Sequence, residues 1–177
     1  MKIILAAVVL LFACGRPGPA RDGTVAYRSP DGRFSARLPG DWRADEGKDP
    51  VRLAAFFGPP GGPNPYAQSI AVYFHPAADP DFASRLYLAS SAGSPDAGPA
   101  RPPRQVAVGA ALKGLELDGR QKNPGLETAP EDTITRTVVV AAPGGFYALE
   151  QSRPASAPET PAFDEMLTTF APTPPSK

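Results

Sequence analysis

The sequence predicts an α+β domain, in which an antiparallel sheet of about six to eight strands is flanked by two or more helices. Two observations support this prediction. Segments with strand-like patterning follow one another along most of the chain, and two other segments have the apolar spacing of amphipathic helices. The 24 prolines and 17 glycines cluster between these segments, where they stiffen loops and leave the predicted elements uninterrupted.

The first four predicted strands lie before residue 75. Residues 24–28 form a short strand, and the turn that follows contains a proline and an Asp-Gly pair. Residues 34–38 alternate between apolar and polar side chains, as expected of a half-buried strand. Residues 51–57 and 68–74 are predicted to form two further strands, separated by a proline-rich loop that cannot join a hydrogen-bonded ladder.

The first predicted helix begins at Asp79 and runs to about Ser91. Asp79 is a favourable N-cap residue, because its carboxylate can accept a hydrogen bond from the first turn, and the next residue is a proline. Three apolar residues then recur at spacings of four and three, which indicates an amphipathic helix that packs on the sheet: Phe82, Leu86 and Ala89.

The strongest local pattern is a β-hairpin near the end of the chain. Residues 133–141 are β-branched at seven of their first eight positions, which favours a strand. Residues 145–151 form the returning strand after a Pro-Gly-Gly turn. Before this hairpin, two strands are predicted around Gly109, at 106–108 and 112–117.

A second amphipathic helix is predicted over residues 161–170, where apolar residues recur at spacings of three, one and three. An all-β sandwich is the alternative architecture, and in that case this helix would be only loosely attached. The predicted core contains the residues that lie on the apolar phase of their strands or helices: Phe34, Leu38, Trp42, Ile70, Val72, Phe146, Leu149, Met166 and Phe170.

The charge balance excludes some classes of partner. The chain carries 18 basic and 18 acidic residues, and the basic residues are scattered singly, so there is no electrostatic basis for binding nucleic acid or an anionic lipid surface. The adjacent carboxylates Glu131-Asp132 and Asp164-Glu165 are predicted to be solvated.

The N-terminus has the pattern of a lipoprotein signal peptide. Lys2 precedes an apolar run from Ile3 to Ala13, and Leu-Phe-Ala stands immediately before Cys14, the only cysteine. Eleven apolar residues rise about 16 Å as a helix, which is roughly half of a bilayer core. We predict that residues 1–13 are a cleaved signal and that Cys14 is lipidated. An ordinary signal peptide with an incidental cysteine is the alternative.

This N-terminal pattern defines the predicted domain organisation. The lipidated Cys14 and a Gly/Pro tether occupy residues 14–23, a single domain occupies 24–171, and 172–177 form a disordered tail. Gly15 follows the cysteine, and the absence of an aspartate there favours the outer membrane by the usual sorting rule. We therefore expect a lipid-anchored protein that faces the periplasm.

The motifs that would indicate catalysis are missing from the sequence. It contains no phosphate-binding loop, no nucleophile elbow and no metalloprotease signature, so we expect no catalytic residue, no cofactor and no metal. His75 is the only histidine and is predicted to be a loop residue without a role. Asp79, Asp81 and Asp96 lack the spacing of a calcium-binding loop.

Two aromatic residues are candidate contacts for a partner. Trp42 is the only tryptophan, and it is either a core residue that covers one end of the sheet or an exposed anchor. Tyr66 lies beside a proline-rich loop and has the same two interpretations, with less burial expected. Because loops carry binding residues more often than the scaffold does, we expect contacts in the loops 58–66 and 92–104.

Two segments of the chain have patterns that occur together in a known family. Residues 31–42, Asp-Gly-Arg-Phe-Ser-Ala-Arg-Leu-Pro-Gly-Asp-Trp, form an aromatic-led strand pattern that runs into Pro-x-x-Trp, and residues 145–150 and 163–170 form a closing strand and helix. In both segments the chain resembles the PsbP-like family, whose fold is shared with a nuclear Ran-binding protein. The resemblance spans residues 24–171, while the loops 58–65 and 92–104 are richer in proline than those of the family.

The resemblance implies an α/β/α sandwich around an antiparallel sheet. Members of the family are generally not enzymes, and many bacterial members are lipoproteins. We therefore expect a non-enzymatic accessory module that binds a protein of the cell envelope. The alternative is a carrier or sensor of a small ligand, with a cleft between the sheet and a helix. An apolar pocket with a few polar groups would favour the carrier, and a flat exposed aromatic patch would favour docking.

The variant Cys14→Ser tests the lipid anchor. It should lose the acyl chains and leave the membrane fraction, because stable anchoring requires more than one chain and Cys14 is their attachment site. Membrane fractionation and gel mobility measure both effects. Unchanged mobility together with continued sedimentation with membranes would show that Cys14 is not lipidated.

Overall fold

The structure is a computed structural model, and it describes residues 23–46, 49, 51–59, 68–91, 102–121 and 132–173. Several sequence predictions concern residues outside these ranges. They include the signal peptide, Cys14, most of the tether, Tyr66, Asp96, Glu131 and residues 174–177.

Ten strands and two helices lie within the described ranges. In chain order they are β1 Thr24–Arg28, β2 Phe34–Pro39, β3 Arg43–Asp45, β4 Arg52–Phe57, β5 Ser69–Pro76, α1 Pro80–Ser91, β6 Arg104–Val108, β7 Leu112–Gln121, β8 Thr133–Ala142, β9 Gly145–Pro154, α2 Ala162–Thr169 and β10 Ala171–Pro172.

Seven strands form one antiparallel sheet in the order β3-β4-β5-β9-β8-β7-β6. The predicted α+β class and the predicted antiparallel sheet with flanking helices are therefore confirmed. A separate sheet of three strands, in the order β1-β2-β10, was not predicted. Its residues do have strand patterns, but a pattern along one strand does not reveal which strand will pair with it.

The central strands β8 and β9 are buried on both faces. Val138 and Val140 contribute to the larger hydrophobic cluster, on the side of α2 and the small sheet. Val139 lies between them and contributes to a second cluster, beneath α1. Successive side chains of a strand point to opposite faces, so one strand contributes to both clusters. The result is three layers: α1, the large sheet, and α2 with the small sheet.

The larger cluster contains most of the predicted core. Phe34 and Phe170 stack with ring centroids 5.5 Å apart, and Tyr147 meets Phe170 edge-on at 5.3 Å. Of the nine predicted core residues, eight are buried: Phe34, Leu38, Ile70, Val72, Phe146, Leu149, Met166 and Phe170. Phe146 belongs to the cluster beneath α1, and Trp42 is partly buried against the larger cluster.

The start of α1 was predicted correctly, but its apolar stripe does not face the sheet. The backbone N–H of Phe82 donates to Asp79 Oδ1 at 3.1 Å, as expected of an N-cap. Phe82 and Leu86, however, are 65% and 60% exposed, and Ala89 is also exposed. The helix packs on the sheet through Leu88 and its neighbours instead.

A glycine joins α2 to the turn between β6 and β7. The N–H of Gly109 donates to the carbonyl of Leu167 at 2.7 Å, which satisfies an acceptor at the end of α2. Gly109 has φ +56°, and a Cβ at this position would collide with the carbonyl oxygen of Phe170. Glycine is required here for both reasons.

The described residues at the C-terminal end include two that lie beyond residue 171, where the domain was predicted to end. Ala171 and Pro172 form β10 and pair with β2. The N–H of Thr173 then donates to the carbonyl of Arg33 at 2.7 Å. The pairing depends on β2, which lies over 130 residues earlier in the chain, so the local proline-rich composition gave no sign of it.

The variant Phe170→Ala should lower the free energy of unfolding by about 3–5 kcal/mol, because it removes a buried aromatic ring and leaves a cavity. Phe82→Ala provides a matched control, since Phe82 is exposed, and should change stability by less than about 0.5 kcal/mol. Urea unfolding of both variants measures the difference. Equal, small effects would mean that α2 is not part of the folding unit.

Candidate functional site

A pocket of about 260 Å³ opens beside the turn between β8 and β9. Side chains from both layers line it, because the turn of the large sheet here meets the segments that flank β2 and β10. Its walls are mostly apolar, with one cation, and include Arg33, Phe74, Ala142, Pro143, Tyr147 and Pro172.

Arg33 provides the charged side chain of the pocket, and both its guanidinium and its backbone contact other residues. Its guanidinium carbon lies 5.2 Å from the centroid of the Phe74 ring, a distance typical of a cation–π contact. Its Nε lies 3.2 Å from Asp31 Oδ2. Its carbonyl oxygen accepts hydrogen bonds from the Tyr147 hydroxyl at 2.9 Å and from the backbone N–H of Thr173 at 2.7 Å.

The Tyr147 hydroxyl is a stable donor in this pocket. Burial of the phenol raises the pKa of Tyr147 to about 12, with a smaller opposing effect from Arg33. The hydroxyl therefore stays protonated at physiological pH. Its hydrogen bond fixes the backbone of Arg33 throughout that range.

The outer face of α1 is the second candidate surface. Phe82 and Leu86, one helical turn apart, both project into solvent. Arg85 lies beside them, is exposed, and makes no ion pair with any residue that the structure describes. Burial of the opposite face through Leu88 already holds the helix on the sheet, so packing of the domain does not require the exposed pair.

Aromatic rings occupy the space between α1 and the sheet. His75 stacks on Phe146 at 4.9 Å and contacts Tyr87 at 4.7 Å. The Tyr87 hydroxyl donates to Glu150 Oε1 at 2.6 Å. The carrier alternative expected a cleft between the sheet and a helix; the pocket described above, formed by described residues, lies instead at the β8–β9 turn.

His75 lies within β5, where it pairs with Phe146 in β9, and not in a loop as predicted. Burial lowers the pKa of His75, against a smaller opposing effect of Glu150. Its Nε2 has no hydrogen-bond partner among the described residues. The ring is therefore a neutral packing element at physiological pH.

A buried carboxylate joins three strands to α2. Glu116 on β7 is 2% exposed and accepts hydrogen bonds at 2.8 Å from Arg104 and from Arg136. Arg136 also reaches Asp164 on α2 and Glu159 before it, each at 3.0 Å. Asp164 was predicted to be simply solvated; it remains exposed, but it forms an ion pair.

Two opposing effects set the pKa of Glu116. Burial alone would raise it, but hydrogen bonds from Arg104 and Arg136 outweigh burial and lower the pKa below its ordinary value of 4.5. The carboxylate is therefore charged at neutral pH, and both arginines are committed to it. These charged groups fix the architecture and are not available to a ligand.

Trp42 lies over the backbone at the end of β4. A Cβ at Gly58 would lie 3.1 Å from the indole ring, so the two are in close contact. The backbone N–H of Trp42 donates to the carbonyl of Pro39 at 3.1 Å, which holds the start of β3 near β2. The side chain is half-buried against the larger cluster.

The described residues contain no group of three histidine, cysteine, aspartate or glutamate side chains that could hold a metal ion. Neither described helix is both long enough and apolar enough to cross a bilayer.

The arrangement of sheets and helices is similar to that of known structures. The cyanobacterial PsbP of Synechocystis sp. PCC 6803 superposes with a TM-score of 0.55 at 13% identity, over 92% of this chain and 99% of that one. The chain has the PsbP-like fold. The predicted resemblance is thus confirmed at the level of the fold, and an identity this low shows nothing further.

Other structures share this PsbP-like architecture at similar distances. A Pseudomonas aeruginosa protein of unknown function matches with a TM-score of 0.56 at 15% identity, over 85% of this chain and 98% of that one. LpqN of Mycobacterium tuberculosis is described as involved in cell envelope biogenesis. It matches with a TM-score of 0.53 at 15% identity, over 85% of this chain and 91% of that one. The chain spans only 48% of a further similar structure, from Bacteroides thetaiotaomicron. No protein-family model and no curated protein matches the sequence.

Sequence patterns could not identify the pocket. Arg33 and Tyr147 are 114 residues apart, and the remaining lining residues come from other separate segments. The only local signal was the Asp-Gly-Arg turn before β2, which resembles the family pattern. The exposed pair on α1 was visible as a pattern but was assigned to the wrong face.

Replacing Arg136 with methionine should lower the free energy of unfolding by about 3–5 kcal/mol, because Glu116 would lose a partner while remaining buried. Arg120→Met is a matched control. Arg120 pairs with Asp132 at 2.9 Å but is 56% exposed, so its loss should cost about 0–1 kcal/mol. Urea unfolding at pH 7 measures both.

The effect of Arg136→Met should also depend on pH. The folded-state pKa of Glu116 is lowered, so its pairing contributes fully above the ordinary value of 4.5 and is lost as the pH falls below it. The difference between Arg136→Met and the wild type should therefore shrink in acid. A difference that is constant from pH 7 to pH 3 would contradict the assignment to Glu116.

Proposed function

We propose that the protein is a lipid-anchored lipoprotein of the bacterial cell envelope that acts without catalysis, as an accessory module that docks a partner protein through helix α1. The observation that carries the proposal is the exposure of Phe82 and Leu86 on a helix whose other face is already packed. Large side chains at spacing i and i+4 form the kind of stripe that helices present to a partner's groove.

The sequence before the domain supports the location. Leu-Phe-Ala before Cys14 fits the lipoprotein cleavage pattern, and acylation at Cys14 would anchor the chain. Gly15 favours the outer membrane over the inner one. The structural similarity to LpqN, a protein described as involved in cell envelope biogenesis, agrees with an envelope location.

The shifted titratable groups support a role without catalysis. The Glu116 carboxylate accepts hydrogen bonds from two arginines, and the Tyr87 hydroxyl donates to Glu150. Burial of its ring keeps His75 neutral and packed between aromatic neighbours. These groups serve the packing of the sheet and α1, which differs from the paired donors and acceptors that acid–base catalysis requires.

The chemistry of the α1 face defines the partner. Phe82 and Leu86 require an apolar groove, and Arg85 between them requires a carboxylate at its edge. Asp79 and Asp81 at the start of the helix oppose binding to an anionic lipid surface. A protein groove with an acidic rim therefore complements this face better than a membrane does.

A carrier of a small ligand is the second candidate function. The observation that favours it is the apolar pocket beside Arg33. A carrier and a docking module can coexist in one domain, because the pocket and the exposed face of α1 involve different residues.

Site-specific photo-crosslinking in cells tests docking. A benzophenone amino acid replaces Phe82, which preserves an aromatic ring, and it should yield one discrete adduct with another envelope protein. The same probe at Lys113, an exposed residue of β7, should give no such adduct. The partner is then identified by mass, purified and titrated with the full-length protein in nanodiscs.

The titration provides the decisive comparison. Leu86→Asp should weaken binding of the purified partner at least about tenfold, as for a central apolar anchor, while the control Lys113→Gln should leave it unchanged. An adduct of twice the protein's own mass would indicate self-association and overturn the proposal. The proposal would also be overturned if no protein adduct formed and the protein bound liposomes through Phe82 and Leu86. That result would indicate that the α1 face binds a lipid surface.

A further inference from the structure

We propose that the pocket beside the β8–β9 turn binds a small monocarboxylate with a compact apolar body, such as one aromatic ring or a short branched chain. This inference develops the carrier candidate and does not depend on docking through α1. It combines the size of the pocket, the composition of its walls and the position of one arginine.

The volume fits a ligand of about ten non-hydrogen atoms. The pocket measures about 260 Å³, whereas an apolar cavity of about 150 Å³ is large enough for benzene. A ring with a carboxylate-bearing side chain therefore fits, and a long acyl chain or a nucleotide does not.

The walls favour an apolar body. The rings of Phe74 and Tyr147 meet edge-on at 5.0 Å, and they form one side of the pocket. Ala142 and Pro143 form the side next to the hairpin turn. A flat apolar group between these walls would be removed from water at little cost in conformational entropy, because rings and prolines have few rotamers to lose.

The position of Arg33 favours a carboxylate. Asp31 occupies Nε, and the described residues offer no acceptor to the two terminal nitrogens. These nitrogens form an end-on pair of donors that matches the two oxygens of one carboxylate. The cation–π contact with Phe74 holds the guanidinium at the pocket wall.

The charge of the site limits the ligand to one negative charge. The Asp31 carboxylate lies 3.2 Å from Arg33 Nε, so it would repel a dianion such as a phosphate monoester. A neutral carbonyl would meet the end-on donors of Arg33 with one oxygen only and without the charge attraction that a carboxylate adds. A monocarboxylate satisfies both conditions.

The site is preformed in the folded domain. The Arg33 backbone is bonded to Tyr147 on the large sheet and to Thr173 beyond β10. These two bonds fix the backbone of Arg33, and the contacts with Asp31 and Phe74 hold its guanidinium at the apolar wall before any ligand arrives. Preorganisation of this kind lowers the entropy that binding must overcome.

Calorimetric titration of the full-length protein in nanodiscs with phenylacetate tests the proposal, with empty nanodiscs as the blank. Saturable binding with one site is expected. Phenylacetamide, which has the same shape and no charge, should bind at least about tenfold more weakly, because a hydrogen bond to a charged group contributes this much or more.

Two arginine variants separate the pocket from general charge effects. Arg33→Gln should weaken phenylacetate binding at least about tenfold and leave the melting temperature nearly unchanged, since the backbone bonds of residue 33 remain. Arg43→Gln is the matched control. Arg43 also stacks on a phenylalanine, Phe57, at 5.9 Å, but it lies outside the pocket and its loss should not alter binding.

A third variant fills the pocket. Ala142→Leu should abolish binding while a circular dichroism melt shows a folded domain; if that variant does not fold, Pro143→Leu at the rim serves the same purpose. The absence of saturable binding to the wild type would overturn the proposal. Equal losses from Arg33→Gln and Arg43→Gln, or equal affinity for phenylacetamide, would overturn it as well.

Discussion

The β8–β9 hairpin is the part of the structure on which the rest depends. Both strands are buried on both faces, so one pair of strands supports the core beneath α1 and the core beneath α2. The alternation of Val138 and Val139 shows how adjacent residues serve opposite layers. Disrupting this hairpin would expose both hydrophobic clusters, whereas disrupting α1 would expose only the smaller one.

The same hairpin also carries Arg136 and Tyr147, which make long-range polar contacts. Arg136 on β8 joins Glu116 to α2, and Tyr147 on β9 fixes the backbone of Arg33. In the first arrangement Glu116 and Arg136 are largely buried and paired, which is typical of charges that specify how elements pack. In the second, the guanidinium of Arg33 remains available at a pocket wall. This difference in pairing is what distinguishes an architectural ion cluster from a candidate binding site in this domain.

Helix α1 illustrates how far periodicity can be used. Asp79 and the following proline predicted where the helix begins, because capping is a local interaction between residues three positions apart. The spacing of Phe82 and Leu86 predicted a helix but not its orientation. Ala83, Tyr87 and Leu88 are also apolar, so hydrophobic residues cover most of the circumference. The contact between Leu88 and the sheet selects one face, and no pattern within the helix contains that information.

The sequence alone predicted the β8–β9 hairpin, the starts of both helices, the antiparallel class and most of the core. Strand alternation, turn residues and helix caps act over only a few positions, so they are visible in the sequence. The lipoprotein pattern at Cys14 is likewise local, and it stays a prediction. The sequence did not predict three features: the pairing of β10 with β2, the ion pairs around Glu116, and the pocket beside Arg33. Each joins residues far apart in the chain, such as Arg33 and Tyr147 at a separation of 114, and such contacts exist only once the layers have packed.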